Sequence, residues 1–132
     1  METFSLLING RLVPGDTTMP VINPATEEVL ADCPRASKRQ LDEAVAAAKA
    51  AFPAWSATSI GERQKAIVRI AETIEKNSGD LARLLTLEQG KPLADATTEV
   101  LGMAGFFRYF AALDLPVRVI ENIWATPRGR PA

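Results

Sequence analysis

Pro92 to Leu113 reads PLADATTEVLGMAGFFRYFAAL, and this stretch decides the fold. Its first turns carry Asp95, Thr97, Thr98 and Glu99. From Val100 to Leu113 only Arg108 and Tyr109 bring polar atoms beyond the backbone. The composition predicts a helix from Pro92 to about Leu113, and proline suits a first helical turn because its missing N–H has no intrahelical partner there. A helix apolar on all sides is normally buried on all sides. Phe106, Phe107 and Phe110 would each forgo roughly 2 kcal/mol if left in water. The stretch is too short to span a bilayer, which takes about 20 apolar residues. It therefore needs protein neighbours.

The preceding segments offer some. Ser78 or Asp80 can cap a helix carrying Leu81, Leu84, Leu85 and Glu88, with Gly90 at the left-handed position beyond its end. Ser59-Ile60-Gly61-Glu62 has the spacing of a capping box, in which serine and glutamate satisfy early backbone donors. Its helix runs to about Lys76 with Ile67, Ile70, Ala71 and Ile74 on the buried face. Ser37-Lys38-Arg39-Gln40 is a second box. It opens a helix striped by Leu41, Ala44, Val45, Ala48 and Phe52, which Pro53 is expected to end.

Further upstream, Phe4 to Val13 predicts a β-hairpin turning at Asn9-Gly10, two residues tolerant of positive φ. Met19 to Asn23 and Glu28 to Cys33 predict a second strand pair around Asn23-Pro24-Ala25-Thr26. The fold class is α+β: N-terminal hairpins followed by four helices. Three amphipathic helices and two hairpins can cover one side of the last helix and leave the other bare. A compact, unrelated helical domain would have to enclose that side itself.

Composition narrows the chemistry. The 132 residues are 47% hydrophobic and 23% charged, as in folded domains. A net charge of -1 gives no electrostatic case for nucleic acid or an acidic membrane. Arg118, Arg128 and Arg130 with Trp124 read as a solvated tail, and neither nucleic acid nor membrane is expected as a partner. There is no histidine, which excludes Ser-His-Asp and Cys-His nucleophilic catalysis and the usual imidazole zinc sites. The single cysteine, Cys33, cannot form an internal disulfide and suits a cytoplasmic setting. At the end of a strand, with no histidine to activate it, it reads as half-buried and structural. Gly90-Lys91-Pro92 is a helix stop and a helix start. It is no P-loop, since proline follows the lysine where Ser or Thr is needed. Glu88 faces Lys91 three residues on, which predicts a surface pair.

Three segments carry more than local structure: Ile22 to Glu28 (INPATEE), Ala44 to Trp55 (AVAAAKAAFPAW) and Leu87 to Pro92 (LEQGKP). In this order and spacing they resemble the N-terminal part of the NAD(P)-dependent aldehyde dehydrogenase superfamily, over about residues 7–120. The resemblance implies that residues 1–115 form an incomplete part of that family's cofactor-binding domain. Residues 116–121 resemble the first strand of its bridging, oligomer-forming hairpin, and residues 122–132 do not resemble the return strand. The parent reaction it implies turns an aldehyde into a carboxylic acid through a thiohemiacetal on cysteine and hydride transfer to NAD or NADP. The family's catalytic asparagine, glutamate and cysteine segments have no counterpart here. The expectation is a truncated piece, inactive alone, with no catalytic, cofactor-binding or metal residues of its own. Thr98, Gly102 and Phe106, four apart on one helix stripe, correspond to a helix that helps wall the substrate tunnel in similar enzymes. An ordinary core role is the competing reading. The implied partner is the rest of such a chain or a full-length homologue, with self-association if isolated. A free-standing module that docks on such a homologue is the alternative.

Overall fold

The computed structural model describes residues 4–114 and 116. The order is β1 (Leu6–Ile8), β2 (Arg11–Val13), β3 (Thr17–Ile22), β4 (Val29–Arg35), α1 (Lys38–Ser56), α2 (Ile60–Lys76), α3 (Ser78–Gln89) and α4 (Leu93–Ala111). This is the expected α+β arrangement of hairpins followed by four helices. The strand expected at residues 116–121 and the tail lie outside the described residues, apart from Pro116.

Each hairpin is its own two-stranded antiparallel sheet. Asn9 (φ 51°) and Gly10 (φ 72°) make the turn between β1 and β2. Two positive φ angles match the right-handed strand twist. In the second hairpin Thr17 pairs with Arg35 and Val21 with Ala31, but Ile22 pairs with Val29, so Leu30 is the extra residue of a bulge. Asn23 shapes the loop between these strands. Its side-chain oxygen accepts from the Ala25 N–H at 2.9 Å, and its carbonyl accepts from the Glu27 N–H at 2.8 Å. Pro20 and Pro34 sit within these strands, longer than expected by a few residues at their outer ends. Both strands of a lone hairpin are edge strands, where a missing N–H is tolerated.

Four helix ends differ from expectation. Pro53 does not end α1, which continues to Ser56. In the last turn proline costs one hydrogen bond, and the Pro53 carbonyl still accepts from the Ala57 N–H and the Ser56 hydroxyl. Asn77, not Ser78 or Asp80, is the N-cap of α3, without a side-chain bond. Pro92 sits one position earlier than expected, as the N-cap of α4. The Ser59 box is half made: its oxygen accepts from the Glu62 N–H at 3.2 Å, and its hydroxyl donates to the Glu62 carboxylate at 3.3 Å. The Ser37 box is complete.

The core is made of small side chains. Ala82, Ala96 and Val100 form its centre, with Ile74 and Leu85 against them. Ala71 and Ala104 are also buried. Alanine lets α2, α3 and α4 approach closely, but it buries little apolar surface. Among the described residues no large side chain is fully buried. Ile70, expected inside, is 46% exposed. On α1, Leu41, Val45, Ala48 and Phe52 of the expected buried stripe face solvent; Ala44 of that stripe is partly covered, and Gln40 and Ala47 turn inward with it.

Candidate functional site

Two faces of α4 have different fates. Ala96, Val100, Ala104 and Ala111 point into the bundle. Phe106 is 67% exposed, Tyr109 62% and Phe110 59%, with the Tyr109 and Phe110 rings edge to face at 5.3 Å. Phe107 is only partly covered. Three aromatics this bare forgo roughly 4 kcal/mol of burial, comparable with the net stability of a small domain.

The expected tunnel stripe belongs to this outer side. Thr98, Gly102 and Phe106 share a stripe of α4, and all three are exposed. The Thr98 hydroxyl donates to the Ala94 carbonyl at 3.0 Å, an intrahelical bond. No atom lies near where a Cβ on Gly102 would stand. They share a face as expected, and none of the three is in the core of this chain.

The motifs around them converge. Gly90 closes α3 at φ 72°, and a Cβ there would stand 3.0 Å from the Pro24 side chain. The Asn-Pro turn and the Gln-Gly-Lys-Pro break, far apart in sequence, therefore touch. Lys91 does not pair with Glu88. Its ammonium donates to the Glu99 carboxylate, within the second turn of α4. The break at Gly90 turns the lysine toward the new helix. Sequence spacing suggests the nearer carboxylate because it carries no information about that turn.

Arg108, the charge in the apolar run, has a defined role. Its Nε and one terminal nitrogen donate to the two Glu75 oxygens at 2.8 and 2.6 Å, tying α4 to α2. This bidentate bond holds the Glu75 carboxyl below the usual glutamate range and raises Arg108 above the usual arginine value. The Gln64 amide adds a second tie, donating to the Leu113 carbonyl at 3.0 Å.

Cys33 is half-buried, as expected, and its thiol points to the Pro34 carbonyl at 3.9 Å. It lines a cavity of about 240 Å³ between the second hairpin and α3, with Leu30, Leu84 and Glu88. Among the described residues no cluster of three or more His, Cys, Asp or Glu could hold a metal ion. No helix among them is long and apolar enough to cross a membrane. Nor do the described residues include a parallel strand pair or a glycine-rich strand-to-helix turn, the elements that cradle a dinucleotide.

The sequence reading missed Gly15 and the long-range half of Gln40's role. Gln40 is the buried polar side chain among the described residues. Its oxygen accepts from the Ser37 and Asp16 N–H groups at 3.1 and 3.2 Å, and its nitrogen donates to the Pro14 carbonyl at 2.8 Å. A Cβ on Gly15 would fall 2.7 Å from the Arg35 nitrogen. The capping box signalled the local half of Gln40's role. Nothing local signals the other half.

Comparison with known proteins assigns the class. Residues 12–125 match the model of the aldehyde dehydrogenase family. The chain is 46% identical over 102 residues to the acylating mitochondrial methylmalonate-semialdehyde/malonate-semialdehyde dehydrogenase of Rattus norvegicus, covering 76% of this chain and 19% of that one. It is 42% identical over 121 residues to a probable aldehyde dehydrogenase of a Pseudomonas species, covering 92% and 25%. Among solved structures it superposes on HpcC from Thermus thermophilus with a TM-score of 0.81 at 37% identity, over 83% of this chain and 22% of that one. A betaine aldehyde dehydrogenase of Staphylococcus aureus, crystallised with NAD+, superposes with a TM-score of 0.79 at 29% identity, over 87% and 26%. The chain belongs to the aldehyde dehydrogenase family. It spans about a fifth to a quarter of the length of these curated relatives. The family match reaches four residues into the segment that the sequence reading left unmatched, 122–125.

Proposed function

We propose that this chain is the N-terminal part of an NAD(P)-dependent aldehyde dehydrogenase that oxidises an aldehyde to an acid, and that alone it has no turnover. The bare outer face of α4 carries this reading. Phe106, Tyr109 and Phe110 lie open on a helix whose other side is packed, and this chain matches only 19–25% of the length of these relatives. The remainder of the family's fold supplies the cover. Residues 1–115 then belong to the cofactor-binding domain and 116–121 to the assembly hairpin. Thr98, Gly102 and Phe106 stand on the open side, where they can wall a substrate tunnel once the rest is in place. The dinucleotide, NAD or NADP, is held by that rest. The unpaired Cys33 suits a reducing, cytoplasmic compartment.

The test is reassembly. A relative such as the Pseudomonas putida glutarate-semialdehyde dehydrogenase, deleted of the matching segment, is mixed with this chain and assayed with aldehyde and NAD. Turnover is expected from the mixture and from neither part alone, and Phe106→Asp in this chain should abolish it. Reduced nicotinamide formed by the purified chain alone would contradict the proposal.

A further inference from the structure

Asn9-Gly10 is the single Asn-Gly pair of the sequence, and the fold sets it at a hairpin tip. Both residues are exposed, and nothing lies within 4 Å of where a Cβ on Gly10 would stand. In such a pair the backbone nitrogen of the glycine can attack the side-chain amide carbon of the asparagine, since no side chain screens it. Asn23, Asn77 and Asn122 are followed by proline, serine and isoleucine. Proline has no N–H to give up, and the other two carry side chains beside the nitrogen.

The hairpin decides when this attack happens. Ile8 pairs with Arg11 across a two-residue turn with positive φ at Asn9 and Gly10. That turn type holds the Asn9 ψ at about +30°. The Gly10 nitrogen then stands almost opposite the Asn9 Cβ about the Cα–C bond, whereas closing a five-membered ring needs the two nearly eclipsed. The closed turn is therefore shielded by its own backbone, although solvent reaches it. What keeps it closed is slight. β1 and β2 have three residues each and form a sheet of their own. Leu7 and Leu12 are 70% and 75% exposed, and Leu6, Ile8 and Val13 are only half-buried. A lone two-stranded hairpin is marginal, so it opens without the helices unfolding.

We propose that Asn9-Gly10 is a self-modification site gated by opening of the β1–β2 hairpin, and that the modified hairpin cannot close again. When the strands part, the Gly10 nitrogen bonds to the Asn9 Cγ, and the side-chain nitrogen leaves as ammonia with the proton from Gly10. Water then opens the cyclic imide. Attack at the side-chain carbonyl gives aspartate, which suits the same turn. Attack at the backbone carbonyl gives isoaspartate, whose main chain runs through Cβ and Cγ and is one atom longer. With that extra atom the two-residue turn loses the Ile8–Arg11 register. The site needs no partner and does not depend on the dehydrogenase reading.

Peptide mapping by mass spectrometry, with electron-transfer fragmentation to separate isoaspartate from aspartate, follows Asn9 in the full chain at neutral pH. Amide loss is expected to be roughly 10- to 100-fold slower in the native chain than in guanidinium. Val13→Gly, which weakens β2, should speed native loss about fivefold. Glu75→Gln, which weakens the packing of the distant helices, should leave it unchanged. The isoaspartate form, separated by chromatography, should lose amide-exchange protection along β1 and β2, and Asn9→Asp should keep it. Equal rates in the native and denatured chain, or a native amide protected well beyond that range, would overturn the proposal. So would a rate that follows Glu75→Gln rather than Val13→Gly, or an isoaspartate form whose strands stay protected.

Discussion

Gln40 joins three chain segments through one amide. Replacing it with leucine leaves the Pro14 carbonyl and the Asp16 N–H without partners, and the Ser37 cap loses its reciprocal half. Unsatisfied buried groups cost about 1–3 kcal/mol. Gln40→Leu should therefore lower the urea-unfolding free energy by about 2 kcal/mol, whereas Gln40→Glu keeps the acceptor and should lose less. Gly15 is constrained by space, since its Cα faces the Arg35 backbone. Gly15→Ala should cost about 2 kcal/mol by overpacking, seen in the same titration. At this scale the sequence revealed what is local: the Ser37 box, the Asn9-Gly10 turn and the left-handed Gly90. Gln40's reach to Pro14, Gly15's approach to Arg35 and the Pro24–Gly90 contact join residues distant in the chain. No spacing rule carries such pairings.

Element by element, α4 was the most legible, because its composition alone implied more apolar surface than its neighbours could cover. The helix does pack one side and bare the other. Phe106→Ser should therefore leave thermal stability within about 0.5 kcal/mol of the parent, where a core phenylalanine truncation costs about 3–5 kcal/mol. The Glu75–Arg108 tie between α2 and α4 carries a pH signature. The Glu75 carboxyl titrates below its ordinary value when folded. Its stabilising contribution is thus complete above the ordinary glutamate range and is lost as pH falls through the lowered value. Glu75→Gln should destabilise at neutral pH, and the difference should close under acid, as urea unfolding across pH would show. For α1 the sequence misled in two respects. Proline in a last turn is cheap, so Pro53 did not stop the helix. Periodicity marked an apolar stripe correctly, but it cannot say whether this chain holds anything to cover it.

The whole molecule has a packed three-helix bundle of alanines and a few larger residues, and two hairpins beside it. The family was legible because Ile22–Glu28, Ala44–Trp55 and Leu87–Pro92 keep their order, and two of those motifs meet at Pro24 and Gly90. That Thr98, Gly102 and Phe106, proposed as a tunnel wall, share one stripe of α4 was legible. Its assignment to a face came only from packing, which put Thr98, Gly102 and Phe106 outside the core. The account rests on that outer face of α4 being bare in this chain. Hydroxyl-radical footprinting with residue-level mass spectrometry measures it directly. Phe106, Tyr109 and Phe110 should be oxidised in the native chain at rates close to those in urea, while Val100 is protected. Native-state protection of the three aromatics as strong as that of Val100 would contradict the account.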